Sequence, residues 1–263
     1  DPGAVTEAVG GSPMNVAVGL ARLEVPTVLV TRVGDDARGR RVVEHVLASG
    51  AELSAGSVVA GLRTSTATAR LDAGNAATYD FDLEWDLPEQ ALPGARGLHV
   101  GSLGAALAPG RTAVVGLVHQ AVRRELFVSY DPNVRPVLMG DRETAWGEVR
   151  EIASLSTLVK LSDEDAQALR PDLRPEQVAA ELLRGERTEL VVVTLGGGGA
   201  VSFSAAGSAS ATPPTSTTVV DTVGAGDSFM AATLSSLVSR GRGGTGALAG
   251  LGRDAQRSLL GDA

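Results

Sequence analysis

The chain has 263 residues, a formal charge of −8 and no cysteine. The acidic balance argues against nucleic acid or an anionic membrane as partner, and the missing cysteines remove disulfides and thiolate chemistry, so a cytoplasmic enzyme is the expectation. No apolar run approaches the ~20 residues of a membrane span, and no signal peptide pattern is present.

Glycine contributes 33 of 263 residues, about 12.5%, against a usual level of about 7%. These glycines cluster at turns without a repeat, which excludes a fibrous chain. Aromatic residues make up only 3%, so Val, Leu and Ala must fill the core. The length suits one large α/β domain or two small ones.

In chain order, Gly10-Gly11-Ser12-Pro13-Met14-Asn15 precedes an apolar helix predicted over residues 16–23. Residues 25–30 read as a strand, and Asp36 caps a helix running to about residue 48. Residues 64–71 and 76–83 alternate polar and apolar side chains around Asp72-Ala73-Gly74-Asn75, the pattern of a β-hairpin that is either a lid or an edge hairpin. Strands at 98–103, 126–130 and 158–161 then alternate with helices at 111–124, 142–153, from Asp163, and at 175–183. Residues 190–195 are fully apolar, as in a strand buried on both faces of a parallel sheet. A further strand is predicted at 217–220, followed by a helix, and residues 240–246 read as a mobile loop. The βαβα order implies a doubly wound sheet with helices on both sides.

Several site types are excluded. Lys160 is the only lysine and is followed by Leu161, so no Walker A sequence exists; neither a G-x-S-x-G elbow nor an H-E-x-x-H helix is present. Gly241 to Gly246 matches G-x-G-x-x-G but follows a helix, which makes it a flexible loop. His45, His99 and His119 lack ligand spacing and read as surface or packing residues.

The densest signal is Asp221-Thr222-Val223-Gly224-Ala225-Gly226-Asp227. Small residues opening a helix let backbone N–H groups approach an anion, and a carboxylate beside that hole can accept an alcohol's proton, as phosphoryl transfer requires. Four other segments support that chemistry. Gly11 and Asn15 offer close backbone approach and a hydroxyl partner, with a helix cap as the alternative. Arg135, in Asp131-Pro132-Asn133-Val134-Arg135, follows a strand end where open α/β sheets collect ligands; a structural ion pair is the alternative. Lys160-Leu161-Ser162-Asp163-Glu164-Asp165 is either simple helix capping or a set of carboxylates organising water around Mg²⁺. Thr194 to Gly199 leaves open backbone for a nucleotide.

Together these motifs resemble the ribokinase family of carbohydrate kinases, the PfkB type, over about residues 10–260. The signatures are GGSPMNVAVGLARL, VGDDARG and DTVGAGDSF, with VGSL, YDPNVRP, VKLSDED and VTLGGGG most similar to bacterial fructokinases and 2-keto-3-deoxygluconate kinases. The resemblance implies a single three-layer α/β/α domain over residues 1–263, with a mostly parallel central sheet and a small β-hairpin lid at about 64–84. By position, Asp227 is the implied catalytic base and Gly224, Ala225 and Gly226 the anion hole for the γ-phosphate. Gly11, Asn15 and Arg135 are the implied sugar contacts, and Thr194, Gly196, Gly199, Lys160 and Ser162 the nucleotide contacts. Asp165 is implied to act on Mg²⁺ through water. Ser162 and Asp165 stand where the family usually has Asn and Glu.

ATP and Mg²⁺ are therefore expected, with a monovalent cation such as K⁺ as a further family property, and a homodimer formed through the lid. Fructose is the expected acceptor. The alternatives are 2-keto-3-deoxygluconate or a nucleoside, or, from another class, a non-catalytic binding protein on this scaffold. The family also places a strand with a sugar-contacting aspartate before the first glycine pair, and a small-residue turn over the adenine near the C-terminus. Neither pattern is legible here, and omitted segments are the expected reason, because a sheet without its first strand exposes an apolar edge.

Overall fold

The computed structural model describes residues 6–71, 77–212 and 223–263. Helix α1 is Ser12–Arg22, beginning four residues before the predicted start. Pro13 explains the difference: its missing N–H costs nothing in a first turn and its fixed φ suits a helix start. Asn15 consequently lies on the helix rather than in the loop before it. The predicted strand at 25–30 shrinks to β1, Val28–Leu29. Next come β2, Val33–Gly34, and α2, Ala37–Ala48, where the Asp36 carboxylate caps by accepting from Gly39 N at 2.8 Å. Strands β3, Glu52–Leu53, and β4, Val58–Val59, pair in parallel with β1 and β2 respectively, as two small ribbons.

The predicted hairpin forms from β5, Thr66–Leu71, and β6, Ala77–Asp82, antiparallel from Thr66↔Asp82 to Leu71↔Ala77. Its expected turn lies outside the described residues. The base of the hairpin is tied to the α2 cap, since Thr64 N and Thr64 Oγ1 both donate to the Asp36 carboxylate. These bonds, led by the one from the Thr64 backbone, hold the Asp36 carboxyl down at about 2.

The rest of the chain builds the central sheet: β7, Gly97–Gly101; α3, Ser102–Ala106; α4, Gly110–Arg123; β8, Phe127–Asp131; α5, Arg142–Ser154; β9, Leu158–Ser162; α6, Asp163–Leu169; α7, Pro175–Leu182; and β10, Leu190–Thr194. Strands β11, Ala200–Ser204, and β12, Gly207–Ala211, follow, and helices α8, Ala225–Ser239, and α9, Arg253–Asp262, complete the described chain. The sheet order is β12-β11-β10-β9-β8-β7; β7 to β10 run parallel, while β11 and β12 add antiparallel strands at one side. The strand predicted at 217–220 lies outside the described residues.

Alternation along the strands divides the core. Val128, Tyr130, Val159, Leu161, Val191 and Val193 pack with α4 to α7 on one face. Phe127, Leu158, Leu190 and Val192 pack with α1, α8 and α9 on the other, giving the expected three-layer α/β/α arrangement. Residues 240–246 form a loop as expected, but a fastened one. Leu126 bridges to Gly244, and the Glu189 carboxylate accepts from Gly246 N and Leu248 N.

Candidate active site

On the face beneath α1 and α8, strands β8, β9 and β10 change from apolar to polar toward their carboxyl ends. Phe127 gives way to Ser129 and Asp131, Leu158 to Lys160 and Ser162, and Val192 to Thr194. The parallel register places Thr194 beside Ser162, and Gly101 beside Asp131. The polar ends thus gather at the carboxyl edge of the sheet, where open α/β folds form their ligand crevice.

Helix α8 begins above this edge. Gly224 has φ 78°, a left-handed geometry that favours glycine, and brings no side chain to cap the helix. The N–H groups of the first turn, which includes Ala225, Gly226 and Asp227, lack intrahelical partners and carry the positive end of the helix dipole. Asp227 sits in that turn, buried. Its Oδ1 accepts from Ser12 Oγ and its Oδ2 from Asn15 Nδ2, both at 2.7 Å. A Cβ built on Gly226 would lie 2.8 Å from Lys160 Nζ, so the only lysine of the chain reaches the start of α8. Gly224, Gly226, Asp227, Asn15 and Lys160 are therefore brought together. Gly11 has φ 134° and faces open space where a side chain would be.

Lys160 Nζ donates to Asp131 Oδ2 at 2.9 Å, a buried ion pair that sequence reasoning missed. Burial pushes the Asp131 carboxyl up to about 6, against the pull of Lys160, and the charges of Asp165 and Asp227 push the same way. Its Oδ1 has no hydrogen-bond partner. His99, on neighbouring β7, shares Nδ1 with Ser129 Oγ at 3.0 Å, while its Nε2 is buried and unpartnered. Burial first, then the Lys160 charge, pulls His99 down to about 4, so it is a neutral packing residue.

A depressed base contributes stability above its unfolded value near 6.5 that is lost as pH falls through the folded value near 4. The raised Asp131 acts oppositely, with a contribution present at low pH and lost as pH rises through about 6. His99→Asn is therefore expected to gain on the parent by on the order of 3 kcal/mol as pH drops from 6.5 to 4. Urea unfolding of both proteins across that window checks it, and parallel curves would contradict it.

Ser162 and Asp165 form a capping box at α6: Asp165 N donates to Ser162 Oγ at 3.0 Å and Ser162 N to Asp165 Oδ2 at 2.9 Å. Val134 N donates to Asp165 Oδ1 at 2.7 Å, which ties the loop after β8 to the same carboxylate. Among the described residues no group of three or more His, Cys, Asp or Glu side chains forms a cation cage. Magnesium bound to a nucleotide keeps several waters and needs only one or two carboxylates, so Asp165 and the free Oδ1 of Asp131 are a donor set that fits it.

Two predicted contacts have a different surrounding. Arg135 Nη1 donates to Asn133 O, Asn133 Oδ1 and Val134 O, so the guanidinium folds onto its own loop without a bond to Asn15 or Asp227. Gly199, with φ 88°, is required by packing, since a Cβ there would meet Ala211 O at 2.1 Å; its N–H is already bonded to Gly196 O. The open backbone lies at Gly196 and Gly197, beyond Thr194, where a Cβ would meet nothing within 4 Å. Ser12 and Asp131 escaped sequence reasoning as functional neighbours. The polar residues at every second position of β8 and β9 were the available signal.

Residues 1–255 match the pfkB family carbohydrate kinase. A fructokinase of Rhizobium leguminosarum bv. trifolii is 33% identical over 238 residues, covering 87% of this chain and 71% of the relative. A fructokinase of Klebsiella pneumoniae is 33% identical over 247 residues, covering 91% and 80%. The crystal structure of fructokinase with bound ATP from Xylella fastidiosa superposes with a TM-score of 0.82, at 24% identity, over 98% of this chain and 83% of that one. The family match over residues 1–255 and the fructokinase relatives at 33% identity agree, and the chain belongs to the pfkB family of carbohydrate kinases.

Proposed function

We propose that this sugar kinase transfers the γ-phosphate of ATP to a primary hydroxyl of fructose. The observation that carries the reading is the Asp227 carboxylate in the first turn of α8, at an open helix start that Lys160 reaches. The fructokinase relatives at 33% identity support fructose as the acceptor.

The acceptor hydroxyl lies against Asp227 and Asn15, and the γ-phosphate against the N–H groups of Gly224, Ala225 and Gly226. The acceptor oxygen bonds to the γ-phosphorus, its proton passes to Asp227, and the bond to the bridging oxygen breaks with its electron pair leaving on ADP. In the loose transition state charge collects on the phosphoryl oxygens, where the α8 dipole and Lys160 stabilise it. Bound Mg²⁺ would neutralise part of the β- and γ-phosphate charge. Asp165, through water, and Asp131 are the residues that would hold it. Thr194, Ser162 and the open backbone at Gly196 and Gly197 line the nucleotide side. The β5–β6 hairpin is the proposed lid and homodimer surface.

ADP release measured with fructose, 2-keto-3-deoxygluconate, ribose and adenosine tests the acceptor. Fructose is expected to give the highest kcat/KM by at least about 10-fold, the discrimination one well-placed group supplies. A higher value with another acceptor overturns the fructose assignment.

A further inference from the structure

We infer that Ser12 is a positioning residue of the phosphoryl-transfer step: its hydroxyl keeps the Asp227 carboxylate aimed once the acceptor has engaged Asn15. The inference rests on the reading of Asp227 as the base.

The argument begins with helix faces. Ser12, Asn15 and Gly19 are spaced three and four apart, so they share one face of α1, and Asp227 and Ala231 share one face of α8. The two faces touch at Gly19, where an added Cβ would lie 2.7 Å from Ala231 Cβ. With only the Ala231 methyl between the helices at that point, α1 and α8 approach closely, and Ser12 and Asn15 are delivered to the Asp227 carboxylate together.

Each carboxylate oxygen then receives one donor at 2.7 Å, Ser12 on Oδ1 and Asn15 on Oδ2. An ionised carboxylate has about four acceptor positions, so one on each oxygen remains for an incoming hydroxyl. The two donors differ in what else they can do. Asn15 is half-buried and carries an acceptor as well as a donor, which suits it to turn toward a sugar hydroxyl. Ser12 is buried, and its hydroxyl has one bond, to Asp227.

Helix capping does not account for the hydroxyl. The N-cap of α1 is Gly11, and Ser12 is already inside the first turn. Nor does packing need it, because an alanine would fill nearly the same volume. Its remaining role is to hold the carboxylate from the side opposite Asn15. A carboxylate tied at one oxygen can still swing about its side-chain bonds, and misplacement of a reacting group by about 1 Å can cost on the order of 100-fold in rate.

The test is a double-mutant cycle on the full chain, with ADP release measured using whichever sugar the parent turns over fastest. A wrong acceptor then overturns the fructose assignment and leaves this comparison intact. Ser12→Ala is expected to lower kcat about 10-fold, with KM for sugar and for ATP within about two-fold of the parent. Ser12→Thr is expected to recover most of that loss, and Ser12→Val, matched in shape but lacking the hydroxyl, is not. On an Asp227→Asn background, Ser12→Ala should change the residual turnover by less than about two-fold, because no base remains to be aimed. Unchanged kcat in Ser12→Ala, equal loss in both backgrounds, or a rise in KM at constant kcat overturns the proposal. If Ser12→Ala folds poorly, the Thr and Val variants carry the comparison, and equal kcat in that pair overturns it. Parent-like turnover in Asp227→Asn alone overturns the base assignment and this inference with it.

Discussion

Asp227→Asn is expected to lower turnover about 1,000-fold while sugar and nucleotide still bind, since a positioned base contributes roughly 10² to 10⁴ in rate. The amide is nearly isosteric with the carboxylate, so the first turn of α8 keeps its shape and its N–H groups remain available to phosphate. Ser12 Oγ can rotate to accept as well as donate, which lets the new amide satisfy at least one neighbour. What the amide cannot do is take up the proton of the acceptor hydroxyl. Isothermal titration with sugar and nucleotide, alongside ADP release, separates the two effects. Turnover near that of the parent would remove Asp227 from the mechanism, and lost binding with lost turnover would make it a ligand contact instead.

Lys160→Met has the larger expected effect on stability. Lys160 and Asp131 form an ion pair with almost no solvent access, their side chains 6% and 0% exposed. Removing one partner of such a pair strands the other charge and costs about 3–5 kcal/mol. The stranded carboxyl is already raised to about 6 by burial with the lysine in place. Without that lysine it rises further and takes up a proton near neutral pH. A carboxyl whose folded value is raised binds its proton more tightly in the folded state, so its contribution is present at low pH and lost as pH climbs through that folded value. Lys160→Met should therefore be least stable relative to the parent above neutral pH and recover as pH is lowered toward 5. Replacing both partners, Lys160→Met with Asp131→Leu, should restore most of the stability but leave KM for ATP raised, because the positive charge at the start of α8 is gone. Urea unfolding at pH 7.5 and 5 and ATP titrations check both claims. Parent-like stability of the single variant at pH 7.5 would contradict the pairing.

The two experiments probe parts of the site that differed in legibility. Gly224 to Asp227 announces itself because an anion hole is built from consecutive residues: two glycines, a helix start and an acid within four positions. Strand β10 is equally plain, since its Leu-Val-Val-Val run suits burial on both faces. Strands β11 and β12 are rich in Ser, Ala and Gly, carry weak β propensity, and were not anticipated. Their pairing with β10 supplies what their composition lacks. The strand expected at 25–30 shortened to β1 for a related reason: it pairs with only two residues of β3, so there was little ladder to sustain it.

The local character of this protein was written in its sequence. The alternation of strands and helices, the acidic cap at Asp36, the hairpin, and the glycines and acid that open α8 all rest on interactions within a few residues, where periodicity and turn chemistry act. Tertiary structure decided what those pieces meet. Ser12 lies 215 positions from the carboxylate it holds, and Asp131 lies 29 from Lys160. Those contacts depend on the register of β8 beside β9 and on the close crossing of α1 and α8 at Gly19 and Ala231. Neither is encoded in any short window, because each is set by how whole faces of the sheet and helices fit together. The same packing gave Gly199 a structural task and turned Arg135 onto its own loop, so residues alike in sequence promise ended with different surroundings.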